Sequence, residues 1–258
     1  LGTRGCVNFN LSCQNSDADL HSGLFGGVVA NPAQALASAL AACVDKLNRV
    51  SIPDFYDGIQ PLSTQERKEI YMGIDIKKGP ENFNVRTFSS ERNKELIEAN
   101  WFKPTFEITA LESGYLGQGT QNSIPSVAKV KLSCRIGIGQ DPEHIANAAI
   151  AFLKKKLPKG MKVDVERFFG SKAYLCSPQA KVVKAACQAY EEVFKVPCRK
   201  VLSGATLPIV TSLAQIIGGE LIMMGVSLIT DCIHSPNEHF DKKRFEKGFL
   251  VTCRMLEI

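Results

Sequence analysis

The sequence has no CxxC pair and no regular cysteine spacing, although it carries nine cysteines. An odd, scattered set argues against a zinc ribbon or a disulfide framework and predicts buried free thiols in a reducing compartment, most simply the cytosol. There is also no run of the roughly 20 apolar residues that a membrane-spanning helix needs. The longest, GGELIMMGVSLI, is about half that length and is broken by Glu220. No basic stripe carries interleaved aromatics: the formal charge is +5 and its densest cluster, Lys154-Lys155-Lys156, falls on the solvent side of a helical pattern. Neither nucleic acid nor a membrane is therefore expected as a partner. The chain opens on Leu1-Gly2-Thr3-Arg4, with no methionine and no charged-then-apolar leader. It reads as a processed product or a piece of something longer.

What is present suffices for a globular core, with 258 residues of which 45% are hydrophobic. CVNFNLSCQ alternates Val7, Phe9 and Leu11 with polar residues, the period of a half-buried strand. Asn31-Pro32 supplies a cap and first turn for a helix whose apolar face is Leu36, Ala39, Leu40, Cys43, Val44 and Leu47. A polar stretch from Ser51 to Asn100 follows, with helical pieces expected at Gln65 to Met72 and Ser90 to Ala99. TFEITAL and SVAKVKLSCRIGI both alternate, the second long enough for a central strand; a helix from Asp141-Pro142 to Lys156 and the strand MKVDVERFF complete the unit. This pattern predicts an α+β two-layer domain with a small antiparallel sheet over residues 3–169. Residues 170–258 read differently, with a helix from Gln179 to Phe194, a loop at Ser203-Gly204-Ala205, a second helix, the run ELIMMGV as a buried parallel strand, and a closing helix from about Lys242. About 90 residues cannot cover both faces and both edges of such a strand, so residues 170–258 are expected to be the C-terminal part of a larger α/β domain whose N-terminal portion is absent.

Four positions could carry chemistry. In DLHSGLFGG, His21 precedes a cluster of glycines and either acts on a substrate or merely turns a corner. His234, in DCIHSPNEHF, follows the apolar run after a short loop, where open α/β sheets place ligand-binding groups. Asp231 and Glu238 could orient it as a metal ligand, or it could cap a helix beginning at Ser235-Pro236-Asn237-Glu238. His239-Phe240-Asp241 and Glu191-Glu192 have suggestive spacings but fit solvated helix faces. Arg135 could grip a carboxylate through two parallel hydrogen bonds or form a surface ion pair. Asn122, before Ser-Ile-Pro, could offer its amide to a carbonyl or serve as a turn residue.

TRGCVNFNL, DLHSGLFGG, PDFYDGIQPLS, QNSIP, KLSCRIG, SGATLPIV and HSPNE, taken in this order and spacing, resemble the metallopeptidase family M20, in particular its cytosolic nonspecific dipeptidase and carnosinase branch. The resemblance spans almost the whole chain. It implies a lid or dimerisation domain at 3–169 and the C-terminal part of an α/β zinc-hydrolase domain at 170–258. It also implies a homodimer made through the lid, two zinc ions in the intact enzyme, with manganese as an alternative, and a small peptide substrate. By resemblance, His234 is the last zinc ligand, and His21 reaches into the partner subunit's site to polarise the scissile carbonyl. Asn122 and Arg135 hold the substrate's carbonyl and C-terminal carboxylate. Ser203, Gly204, Ala205 and Thr206 match the family's glycine-rich substrate loop, with Ser203 where the dipeptidases usually have glutamate and Ala205 in place of a glycine. The remaining ligands, a His-x-Asp, a bridging aspartate and a glutamate pair, are expected upstream of Leu1. The function implied is hydrolysis of dipeptides or short peptides with a free carboxylate, by a cytoplasmic enzyme of which this chain alone is inactive. The rivals are a noncatalytic dimerisation module and an N-acyl-amino-acid hydrolase.

Overall fold

A computed structural model describes residues 1–75, 93–228 and 230–258. They form two compact units: Gly5–Gln60 with Lys103–Lys172, and Leu1–Arg4 with Pro61–Phe102 and Ala173–Ile258.

The first of these is built on an antiparallel sheet of β1 (Gly5–Gln14), β2 (Thr105–Ser113), β3 (Val127–Ile136) and β4 (Lys162–Arg167), in the order β2-β3-β1-β4. β3 is an inner strand, as its long alternation predicts. Pairing sets Val7 opposite Cys134, Phe9 opposite Leu132, Leu11 opposite Val130 and Cys13 opposite Ala128. All eight are buried. They meet helices α1 (Pro32–Ala41) and α2 (Pro142–Lys156), whose Leu36, Leu40, Ile145, Ala149 and Leu153 close the same core. Each large apolar side chain so buried is worth roughly 1.5–3 kcal/mol.

The helix starts are those the sequence marks. Asn31 Oδ1 accepts from the Ala33 N–H at 2.9 Å, and Asp141 Oδ1 accepts from Glu143 and His144 at 2.9 and 3.1 Å. Lys154, Lys155 and Lys156 fill the last turn of α2, where exposed cations meet the negative end of the helix dipole. α1 stops at Ala41, so Cys43 and Val44 lie beyond it, and Leu47 is exposed.

In the other unit, Gly2–Thr3 pairs antiparallel with Tyr174–Leu175 and parallel with Leu202–Ser203. Its longer helices are α3 (Lys181–Phe194), α4 (Pro208–Ile217) and α5 (Lys242–Glu257). Glu192 of α3 and Arg254 of α5 form an ion pair, and Glu191 Oε1 accepts from the Cys198 N–H at 3.0 Å. The Glu191-Glu192 pair is structural.

Three expectations change here. The polar segment after Gln60 does not belong with the sheet. The Tyr71 N–H donates to the Lys200 carbonyl at 2.8 Å and Lys200 Nζ meets Glu69 Oε2 at 2.6 Å, so Pro61–Phe102 groups with the C-terminal unit and the expected continuous domain 3–169 is interrupted. Its first helix is only Thr64–Glu69, fixed by the Ser63/Glu66 capping box and ended by extended Ile70; the second is Asn93–Trp101, and the expected start at Ser90 lies outside the described residues. Finally, ELIMMGV is not a strand. Among the described residues no strand flanks it, and a ladder needs a neighbour. Leu221 hydrogen-bonds instead to the Tyr174 hydroxyl in both directions, at 2.7 and 3.0 Å. Residues from Ile222 to Val226 line an apolar cavity of about 370 Å³ with Val183, Ala186 and Tyr190 of α3.

All nine cysteines are free thiols, five of them buried. Burial pushes the Cys43 thiol up to about 12, so it behaves as a small apolar side chain. No described helix is long and apolar enough to cross a membrane.

Candidate functional site

His21 and Asn122 lie 101 positions apart and are brought together by a short ladder. Leu20 pairs with Ile124 and His21 with Ser123. Ser22 then donates twice to the Asn122 carbonyl, through its backbone N–H and its hydroxyl, both at 3.0 Å. Asp19 Oδ1 secures the strand by accepting from the Ser126 N–H at 2.8 Å. The His21 ring is exposed, and its Nδ1 accepts from the Gly23 N–H at 3.0 Å, starting the single helical turn Ser22–Phe25. The DLHSGLFGG motif does turn a corner, and the ladder brings His21 next to the backbone of Asn122 and Ser123. Leu24, Phe25 and Val28 are exposed just beyond.

Arg135 is on the four-stranded sheet, not on the two-stranded ladder that holds His21. It is half-buried near the C-terminal end of β3, opposite Cys6 on β1 and Thr105 on β2. The ladder that holds His21 lies before Val127, where β3 begins. Eight steps of about 3.3 Å separate Val127 from Arg135, on the order of 26 Å.

In the other unit the loop Ser203-Gly204-Ala205-Thr206 is a built feature. The Arg4 backbone donates to the Ala205 carbonyl at 3.1 Å and Arg4 Nε to the Gly204 carbonyl at 3.0 Å. Ser203 Oγ accepts from the Ala205 N–H at 3.1 Å. A side chain at Gly204 would overlap the Asn100 amide as it stands, so glycine lets that amide pack against the loop. Arg4 and Asn100 have no motif of their own, and only the packing identifies them as supports.

His234 stands exposed in a turn with φ +61°, and Cys232 and Asn237 also have positive φ. Left-handed residues at 234 and 237 interrupt the right-handed run that a helix from Ser235 would need. The expected helix start at Ser235 is therefore wrong: α5 begins at Lys242, with Asp241 as its cap accepting from the Arg244 N–H at 2.9 Å. Asp231 does not orient His234 either. Its carboxylate is buried and receives both arms of Arg244, Nη1 to Oδ2 at 2.7 Å and Nη2 to Oδ1 at 2.8 Å, along with the Leu228 N–H at 2.8 Å. The exposed His239 sits 3.8 Å from the same carboxylate.

Among the described residues no three His, Cys, Asp or Glu side chains cluster as a metal site, and metal centres of this kind take three or four protein ligands. These residues do not make such a site by themselves, whatever His234 contributes to a shared one.

Residues 1–161 match the Peptidase dimerisation domain of the M20 peptidases. Similar proteins include a Cys-Gly metallodipeptidase of Candida albicans, 26% identical over 254 residues, which cover 96% of this chain and 52% of that protein. A beta-Ala-His dipeptidase of Rattus norvegicus is 27% identical over 252 residues, covering 96% and 51%. Among solved structures, the di-peptidase Dug1p from Saccharomyces cerevisiae superposes with a TM-score of 0.88 at 23% identity, over 99% of this chain and 54% of that one. An M20 family metallo-carboxypeptidase, Sso-CP2 from Sulfolobus solfataricus, gives 0.88 at 25% identity, over 100% and 59%. The chain thus spans about half the length of the curated relatives it matches.

The Asp231–Arg244 fork generates a pH prediction. Hydrogen bonds from Arg244, then from the Leu228 N–H, hold the Asp231 carboxyl at about 2, against an ordinary 3.8. The folded value is the lower one, so the stability this group contributes is whole above about pH 4 and is lost as pH falls through 2. Chemical denaturation of Asp231→Asn and wild type, compared at several pH values, is expected to show a gap at neutrality that closes between pH 4 and 2; a gap of constant size would place the acid sensitivity elsewhere. With the α+β sheet domain and the site geometry in place, the match over residues 1–161 closes the assignment: this chain belongs to the M20 peptidase family and carries its dimerisation domain.

Proposed function

We propose that the chain is the lid and C-terminal segment of a zinc metallodipeptidase that works as a homodimer on dipeptides or short peptides with a free C-terminal carboxylate. The names of its relatives support the class, since the Candida protein is a metallodipeptidase and the rat protein a dipeptidase. The observation that carries the reading is that His21 and Asn122 are tied by a short two-stranded ladder before Val127, while Arg135 lies near the far end of β3, on the order of 26 Å from Val127. A dipeptide spans only about 7 Å. In this reading one protomer's His21 and Arg135 serve different sites, and a two-fold partner brings its His21 and Asn122 to the other's Arg135.

In this arrangement the partner's imidazole and amide meet the scissile carbonyl, where a donor aimed at the developing oxyanion acts chiefly on the transition state. Arg135 forks onto the terminal carboxylate and fixes the register of the peptide. The loop Ser203–Thr206 lines the substrate, and His234 supplies one ligand of a zinc site completed by residues outside this chain. Water activation is not assigned to any residue described here, and the chain alone is inactive.

Three measurements test the reading. The isolated chain, dialysed after zinc loading, is expected to retain well under one zinc and to turn over no simple dipeptide; tight stoichiometric zinc or turnover would show a complete site. In the whole enzyme, Arg135→Lys is expected to lose about 1 to 3 kcal/mol of transition-state binding on a free-carboxylate substrate. A C-terminally amidated substrate should barely register the change, and equal losses on both would make Arg135 structural. Whole-length His21→Ala should lose several kcal/mol of transition-state stabilisation, with residual activity and unchanged zinc, and mixing it with His234→Ala should restore activity towards half of wild type per heterodimer. Confirmed subunit exchange without recovery would overturn the cross-dimer site and favour a noncatalytic dimerisation module or a site within one subunit.

A further inference from the structure

The bond from the Gly23 N–H to His21 Nδ1, at 3.0 Å, has a chemical consequence for the ring. A backbone N–H only donates, so Nδ1 must present its lone pair, and in the neutral imidazole the proton then resides on Nε2. The ring is further confined from the same residue. A Cβ on Gly23 would lie 3.0 Å from His21 Cε1 and 3.3 Å from Nδ1, closer than side chains ordinarily pack, so any larger residue there would push the imidazole from this position by a few tenths of an ångström. Across the turn, Ser22 fixes the backbone of Asn122 with two hydrogen bonds.

We propose that Gly23 is a positioning residue that acts through His21: its N–H selects the Nε2–H tautomer and its missing side chain sets the ring's orientation, so that His21 meets a carbonyl oxygen as a donor through Nε2. This rests on the reading of His21 as the group that polarises the scissile carbonyl. The opposite tautomer would place a lone pair against the developing oxyanion and repel it. Glycine at position 23 thus leaves the neighbouring ring in place, where a larger residue would displace it.

The full chain with its native sequence, labelled with nitrogen-15, tests the first half, a variant serving only for assignment. A scalar coupling across the hydrogen bond is expected between the Gly23 amide nitrogen and His21 Nδ1, with Nδ1 resonating as an imine nitrogen and Nε2 as a protonated one. His21→Gln assigns the signals among the four histidines. Absence of the coupling, or tautomer-averaged ring shifts, would overturn the proposal.

The second half is read in the whole enzyme. Gly23→Ala keeps the N–H but displaces the ring by a few tenths of an ångström, and it is expected to lower kcat about tenfold to a hundredfold with KM little changed. In a His21→Ala background the same substitution should cost nothing further. An equal loss in both backgrounds would show that Gly23 acts on the fold and not through His21. A coupling that is present while His21→Ala remains fully active would instead sink the catalytic reading of His21 and leave the hydrogen bond standing, so the two failures are distinguishable.

Discussion

The register of β1 against β3 is the constraint on which the first unit depends. With Phe9 opposite Leu132, the residues Val7, Leu11 and Cys13 face the helices, and their alternates Cys6, Asn8, Asn10 and Ser12 lie on the other face beside Arg135, Ser133, Lys131 and Lys129. A slip of one residue would turn one strand over against the other, either exposing Phe9 or burying Lys129 and Lys131. Burial of that apolar row therefore selects one register. The same register places Arg135 on the polar face near one end of the sheet and leaves the His21 ladder before the other end. The placement of Arg135 along β3 away from that ladder is a by-product of core packing.

The local chemistry around His21 is of another kind, being almost entirely backbone. Ser22 reaches the Asn122 carbonyl twice, Gly23 reaches the ring, and Asp19 reaches Ser126. Such bonds are worth about a kilocalorie each and are exposed, so their value lies less in stability than in reducing the number of orientations an exposed imidazole can sample. A surface histidine held this way has little entropy left to lose when a substrate arrives.

The C-terminal unit divides its conspicuous residues between structure and function. Asp231, which sequence proximity pairs with His234, is committed to Arg244 and helps anchor the start of α5. His234 is left in a turn of left-handed residues, a conformation that projects a side chain clear of any helix. The Ser203–Thr206 loop is held from outside by Arg4, while Gly204 leaves room for Asn100. The departures at Ser203 and Ala205 from the family pattern fall in a well-supported loop, so they bear on what the loop touches and not on whether it forms.

Periodicity and caps were legible in the sequence alone because they are local. Val7, Phe9 and Leu11 specify a half-buried strand, Asn31-Pro32 and Asp141-Pro142 specify helix starts, and the run ending at Arg135 specifies an inner strand. Family motifs singled out His21, Asn122, Arg135, the 203–206 loop and His234. Contacts between distant segments were not legible. Lys200 draws Glu69 and Tyr71 to the C-terminal unit, Arg244 takes Asp231, and ELIMMGV stays unpaired, since an apolar run becomes a strand only where another backbone offers its hydrogen bonds. The sequence determined most of the strands and helices and pointed to the residues proposed to carry chemistry. Tertiary structure alone decided which of those residues meet, because register and long-range ion pairs depend on the whole buried surface and not on any window of the chain.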